Sequence, residues 1–177
     1  VYRRRLERLR AGWTGYAAGI SGPLPPPLGL RPGRPDDLAF LQSLAPRLVA
    51  ALPEWRDRAE AQAQTEALFA QVLAATPETP YGFTAVLVAE LEGRPAGFAL
   101  LYLLPGEETT FIKDFAVSTE AEGQGVARFL MDGVRTWAAG HGCREIHLKT
   151  NWDNARARAF YERAGFEAEY VTMVRPV

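Results

Sequence analysis

The sequence predicts an α/β protein whose mixed, mostly antiparallel central sheet is flanked by about four helices. Two observations carry that prediction. Alternating segments rich in branched and aromatic residues, between positions 83 and 117, read as a meander of antiparallel strands, and a strand-helix-strand unit follows them. The length of 177 residues, with 47% hydrophobic and 23% charged, is that of one ordinary globular domain.

In chain order, "VYRRRLERLR" is basic and "AGWTGYAAGISGPLPPPLG" is rich in glycine and proline, so residues 1–27 read as an arm outside a domain spanning 28–177. "LGLRPG" suits a short edge strand. Asp36 or Asp37 then caps a helix with leucines at helical spacing, interrupted at Pro46, and a second helix is expected from Glu54 to Ala75. "FTAVLVAELEGRPAGFALLYLLPG" is a hairpin turning at "EGR", and "TTFIKDFAV" is a third strand. A helix over "GQGVARFLMDGVRTWAAGHG", a strand at "REIHLKT" and a helix over "DNARARAFYERAGF" come next. "FEAEYVTMVRP" is expected to close the sheet. The strand-helix-strand unit implies a crossover from the strand at 110–117 to the one at 143–149.

A formal charge of −1 disfavours a surface built to trap nucleic acid or anionic membrane, except through the arginines of the arm. The lone Cys143 rules out an internal disulfide framework and a cysteine zinc site, and it fits a reducing, cytoplasmic setting. The longest apolar run, Ala96 to Leu104, falls far short of the roughly 20 residues that a membrane span needs.

Three local patterns carry chemistry. "FIKDFAV" places Lys113 and Asp114 inside a strand expected to be central, where consecutive side chains point to opposite faces, so either one lies over an open part of the sheet or each has a separate partner. Asp114 is thus a candidate for active-site duty, and a structural ion pair is the competing reading. In "EAEGQGVARFL", Gly123 and Gly125 allow close approach of a ligand to the backbone, and the N–H groups opening the next helix favour an anion. A dinucleotide fingerprint would need a third glycine where Arg128 stands. In "NARARAFYERAGF", Asn154, Ala157 and Tyr161 share one helix face.

Taken together, these residues resemble the GCN5-related N-acetyltransferase superfamily over roughly Leu28 to Val174. The family's loop pattern R/Q-x-x-G-x-G/A falls on "EGQGVA", the preceding strand ends "FAV", and the last helix fits N-x-x-A-x-x-x-Y-x-x-x-G-F. More narrowly, "VAELEGRPAGFALLYL", "FIKDFAV" and "WDNARARAFYERAGF" are similar to the diamine and spermidine/spermine branch.

The resemblance implies a sheet splayed at an acyl-CoA site. Phe115, Ala116 and Val117 would hold the pantetheine arm as an added strand. Glu122, Gly123, Gln124, Gly125, Val126, Ala127 and Arg128 would form the pyrophosphate turn, with Asn154 and Tyr161 also on the cofactor. It implies acetyl transfer from acetyl-CoA to a primary amine of a small molecule, amino acid or peptide by direct attack, without a metal. A main-chain N–H near Val117 would stabilise the oxyanion, and Tyr161 would protonate the thiolate. Asp114 is the first choice for proton acceptor, followed by Glu90 and Glu54, and Trp55 joins Glu54, Glu90 and Asp114 as candidate substrate contacts. A homodimer is open, and the competing reading is a catalytically weak or inactive module of the same fold acting through protein or RNA contacts.

Two positions depart from the family. Lys113 stands where diamine-acetylating relatives carry a glutamate and would repel a polycation. Glu122 stands where the family has Arg or Gln, and is expected to turn to solvent with Arg128 compensating in part.

Overall fold

The computed structural model describes residues 28–74, 78–79, 82–103 and 108–175; the arm of residues 1–27 lies outside them. Strand β1 (Leu28–Pro32) leads through one 3-10 turn (Pro35–Asp37) into α1 (Leu38–Val49) and α2 (Arg58–Ala74). Then come β2 (Glu78–Thr79), β3 (Gly82–Leu91), β4 (Arg94–Leu103) and β5 (Thr109–Val117), followed by α3 (Val126–Gly140), β6 (Glu145–Leu148) and α4 (Ala155–Arg163). The sheet runs β1-β3-β4-β5-β6, with the two-residue β2 added on β3. Every pairing is antiparallel except β5 with β6, which the crossover through α3 makes parallel. The β3–β4 hairpin turns on Glu92 and Gly93, at φ 53° and 74°, as a two-residue turn of that twist requires.

Each face of the sheet has its own core. Leu87, Leu101 and Ile112 meet Leu130, Val134 and Trp137 of α3 on one face. Val88, Phe98 and Leu100 meet Leu41, Leu44 and Phe69 of α1 and α2 on the other. Full burial of one such side chain is worth roughly 2 kcal/mol, against roughly 0–1 for an exposed ion pair. The cores therefore hold the fold, and surface charge is free for other work.

Four expectations need correction. Helix α1 runs through Pro46 without interruption; Pro46 is exposed, so solvent can meet the carbonyl that its missing N–H leaves unpaired. The second helix begins at Arg58 rather than Glu54, because the Asp57 carboxylate accepts the Glu60 N–H at 3.0 Å and caps it. Residues 166–175 form no strand. Tyr170, Val171 and Met173 are 83%, 80% and 91% exposed, so neither alternate face of that segment is packed against the sheet.

The fourth concerns β5. Leu100 pairs with Asp114 but Leu101 with Ile112, leaving Lys113 as an extra residue in β5. Such a bulge resets the alternation of side chains. Ile112, Phe115 and Val117 join the α3 core while Ala116 joins the other. Lys113 and Asp114 therefore meet, Nζ to Oδ1 at 3.6 Å, instead of facing apart.

Candidate active site

The site begins where the sheet comes apart. β6 pairs with Thr109 to Ile112 of β5 and stops, so among the described residues the stretch from Lys113 to Val117 is paired with β4 alone. Its other edge carries unpaired strand backbone at the positions of Phe115, Ala116 and Val117.

A tight turn follows. The Ala121 N–H donates to the Ser118 carbonyl at 3.1 Å, and the Glu122 N–H to that of Thr119 at 3.2 Å. Gly123 and Gly125 have φ of 74° and 81°, values that an L side chain rarely adopts, and open space lies where a Cβ would stand. Gly125 is the N-cap of α3, whose opening N–H groups have no intrahelical acceptor. Val126 is buried, anchoring the helix start, while Gln124 folds back, its Nε2 donating to the Glu120 carbonyl at 2.7 Å. Arg128 is exposed in the first turn of α3.

Glu122 stands at the surface, as expected, but its carboxylate is paired rather than left to solvent alone. Its Oε2 accepts from Arg156 of α4 at 2.6 Å and its Oε1 from Arg47 of α1, which also donates to Thr119 Oγ1 at 2.5 Å. The Arg156 bond, then the Arg47 bond, holds the carboxyl below its usual range. Neither arginine was singled out from the sequence: they lie 75 and 34 residues from Glu122, and no local pattern announces the pairing.

The catalytic candidates come together across the splay. Tyr161 packs edge-on against Phe115, Phe160 and Phe166. Burial, and then the charge of Asp114, push its phenol up to about 12. Asp114 is 9% exposed, and its Oδ2 has no hydrogen-bond partner among the described residues. Burial pushes its carboxyl up, with Lys113 opposing. Tyr102, a neighbour missed in the sequence, is also raised by burial and by Asp114.

The other candidates stand elsewhere. Asn154 caps α4, its Oδ1 accepting the Ala157 N–H at 3.1 Å, which leaves its amide NH2 as the group for a ligand. Glu90, two strands from β5, is taken by Arg31, whose Nε lies 2.5 Å from its Oε1. Glu54 and Trp55 are exposed in the turn between α1 and α2, with the Arg56 guanidinium 4.5 Å from the Trp55 ring centre.

The acetyltransferase (GNAT) family model matches residues 47–166, well over half of the chain. The chain belongs to the GNAT acetyltransferase family. That match begins at Arg47 and takes in the splay, the glycine turn and α4. A mycothiol acetyltransferase from Jonesia denitrificans is 33% identical over 50% of this chain and 28% of its own length. An aminoglycoside N(6')-acetyltransferase from Stenotrophomonas maltophilia is 30% identical over 46% of this chain and 58% of its own. The chain thus spans less than two thirds of either relative. Neither is a diamine or spermidine enzyme, so these relatives do not carry the narrower resemblance to that branch. An aminoglycoside N-acetyltransferase solved in complex with CoA shares the fold, at TM-score 0.62 and 22% identity over 88% of this chain and 98% of that one. Among the described residues no helix is long and apolar enough to cross a membrane.

Proposed function

We propose that this GNAT-family chain is an N-acetyltransferase that uses acetyl-CoA to acetylate a primary amine of a small molecule, amino acid or peptide. The supporting observation is the free edge of β5 running straight into a glycine turn with open space before it. Edge N–H and C=O groups at Phe115 to Val117 suit the amides of a pantetheine arm, as strand addition does for a peptide. The backbone donors from Gly123 to Ala127 at the N-terminus of α3 suit a pyrophosphate, and the Asn154 amide NH2 would be available to the arm. What acetyl-CoA would supply is an acetyl group activated as a thioester.

The chain's own groups divide the remaining work. With its pKa pushed up to about 12, Tyr161 keeps its proton at neutral pH and holds it for a leaving thiolate. An alkyl amine is protonated at neutral pH and must lose a proton before it can attack. Asp114, with an unpartnered oxygen and a raised pKa, is a stronger base than an exposed carboxylate and takes that proton directly or through water. A main-chain N–H of the free edge near Val117 would donate to negative charge developing on the thioester oxygen. Because the Lys113 ammonium is 3.6 Å from Asp114, a compact monoamine fits this site better than a polyamine. One of the two curated relatives acts by its name on an aminoglycoside amine, which supports an amine acceptor.

A thiol-release assay with acetyl-CoA over a panel of amines, amino acids and peptides tests the reading. Tyr161→Phe should lower kcat about a hundredfold while leaving acetyl-CoA affinity within about twofold. No thermal stabilisation by acetyl-CoA, together with no thiol release on any acceptor, would sink the proposal.

A further inference from the structure

The glycine turn lacks a cation of its own at its head, since position 122 is a glutamate, yet two guanidiniums converge there from distant elements. Arg47 comes from the last turn of α1 and touches both Thr119 and Glu122, gripping the turn at two points. Arg156 comes from the first turn of α4 and takes the other oxygen of Glu122. Two guanidiniums and one carboxylate leave a net charge of +1 at Glu122, the residue that precedes Gly123 in the turn.

The donor inventory shows what that charge can do. A guanidinium has five N–H donors. Here Arg47 uses its two Nη groups, and Arg156 bonds Glu122 through Nη2 only, so donors remain on both. The side chains are 36% and 75% exposed, which makes them available to a solute and poor contributors to stability. A carboxylate that holds two arginines side by side without neutralising both prepares them for a second anion, and a planar fork suits phosphate oxygens.

We propose that Arg47 and Arg156, aligned by Glu122, are the side-chain phosphate contacts of this turn, supplying from α1 and α4 the cation missing at position 122. The inference rests on the acetyl-CoA reading above and specifies which residues of this chain recognise the charged end of that molecule. The phosphate is either the pyrophosphate or the ribose 3'-phosphate of CoA, two sources of one chemistry.

Calorimetric titration of the full chain with CoA, 3'-dephospho-CoA and acetyl-pantetheine separates the cases. Arg47→Ala and Arg156→Ala should each weaken CoA binding about tenfold and flatten its dependence on salt. Acetyl-pantetheine, which carries no phosphate, should bind the variants as it binds the parent. Arg156→Lys, which keeps the charge without the fork, should recover part of the loss. If the variants lose as much affinity for 3'-dephospho-CoA as for CoA, the contact is to the pyrophosphate; a loss confined to CoA assigns it to the 3'-phosphate. CoA affinity within twofold of the parent in both variants would overturn the proposal. So would an equal loss for acetyl-pantetheine, which would make the arginines a staple between helices and nothing more. A parent chain that binds neither CoA nor acetyl-pantetheine would remove the acetyl-CoA reading itself, and that result needs no variant.

Discussion

Two arginine–carboxylate clusters in this molecule are mirror images in composition and opposite in setting. At the start of the domain, Arg31 joins two carboxylates: its Nη1 is 2.7 Å from Asp37 Oδ2, its Nη2 2.8 Å from Oδ1, and its Nε 2.5 Å from Glu90. At the glycine turn, Glu122 joins two arginines. The first cluster is largely enclosed, with Asp37 and Arg31 side chains 5% and 16% exposed, whereas Arg156 in the second is 75% exposed. Enclosure turns ion pairs into obligations, because removing one partner strands a charge that water cannot reach. Exposure makes them exchangeable, because solvent or a ligand can replace either partner. The first cluster pins β1 and the start of α1 onto β3; the second leaves guanidinium donors uncommitted.

The largest effect is expected at Arg31. Arg31→Ala should cost about 3 kcal/mol in denaturant unfolding, since it leaves Asp37 enclosed and unpaired. Burial raises the Asp37 carboxyl, but the Arg31 bond and the Arg34 N–H outweigh that and hold it below its usual range. A depressed folded-state pKa means that the cluster's stabilisation is complete above the ordinary carboxylate range. It is lost as pH falls through the lower folded value. The variant should therefore converge on the parent at acid pH, and a loss that persists unchanged into acid would show that packing rather than charge is at work.

A smaller effect is expected at Asp114, which is enclosed like Asp37 but has only a 3.6 Å ammonium as partner. Its carboxyl is raised, so the native state binds the proton more tightly than the unfolded chain does. Stability should fall as pH climbs from the ordinary carboxylate range through the raised value. Asp114→Asn should remove that decline and melt above the parent at pH 8, while thiol release drops. A variant that melts lower at pH 8 would mean that the Lys113 contact more than offsets burial.

The smallest effect on stability is expected at the exposed cluster, where Arg156→Ala should barely move the melting midpoint of the ligand-free chain. A loss comparable to that of Arg31→Ala would erase the distinction between the two clusters.

Much of this site is legible in the sequence because its parts are local. The glycines that must take positive φ, the amide that caps α4 and the hairpin turn each answer to a few neighbouring residues. What was misread depends on partners. The closing strand at 166–175 has the composition of a strand, but pairing requires a neighbouring edge that also buries one of its faces, and Tyr170 and Met173 stay in solvent. Alternation set Lys113 against Asp114 on opposite faces, and one inserted residue in the β4–β5 register reversed that. Glu90 read as a free acid until Arg31, 59 residues away, claimed it.

The α/β class, the glycine turn at the head of α3 and the helix that carries Asn154 and Tyr161 can all be read from short stretches of the chain. Backbone conformation and helical spacing are properties of short stretches, which is why those features could be read directly. Which charges meet is settled by the fold: Lys113 with Asp114 through a bulge, Arg31 with Asp37 and Glu90, and Arg47 and Arg156 with Glu122. Electrostatic partnership depends on distance in space and on exclusion of water, and neither quantity exists until the chain has folded.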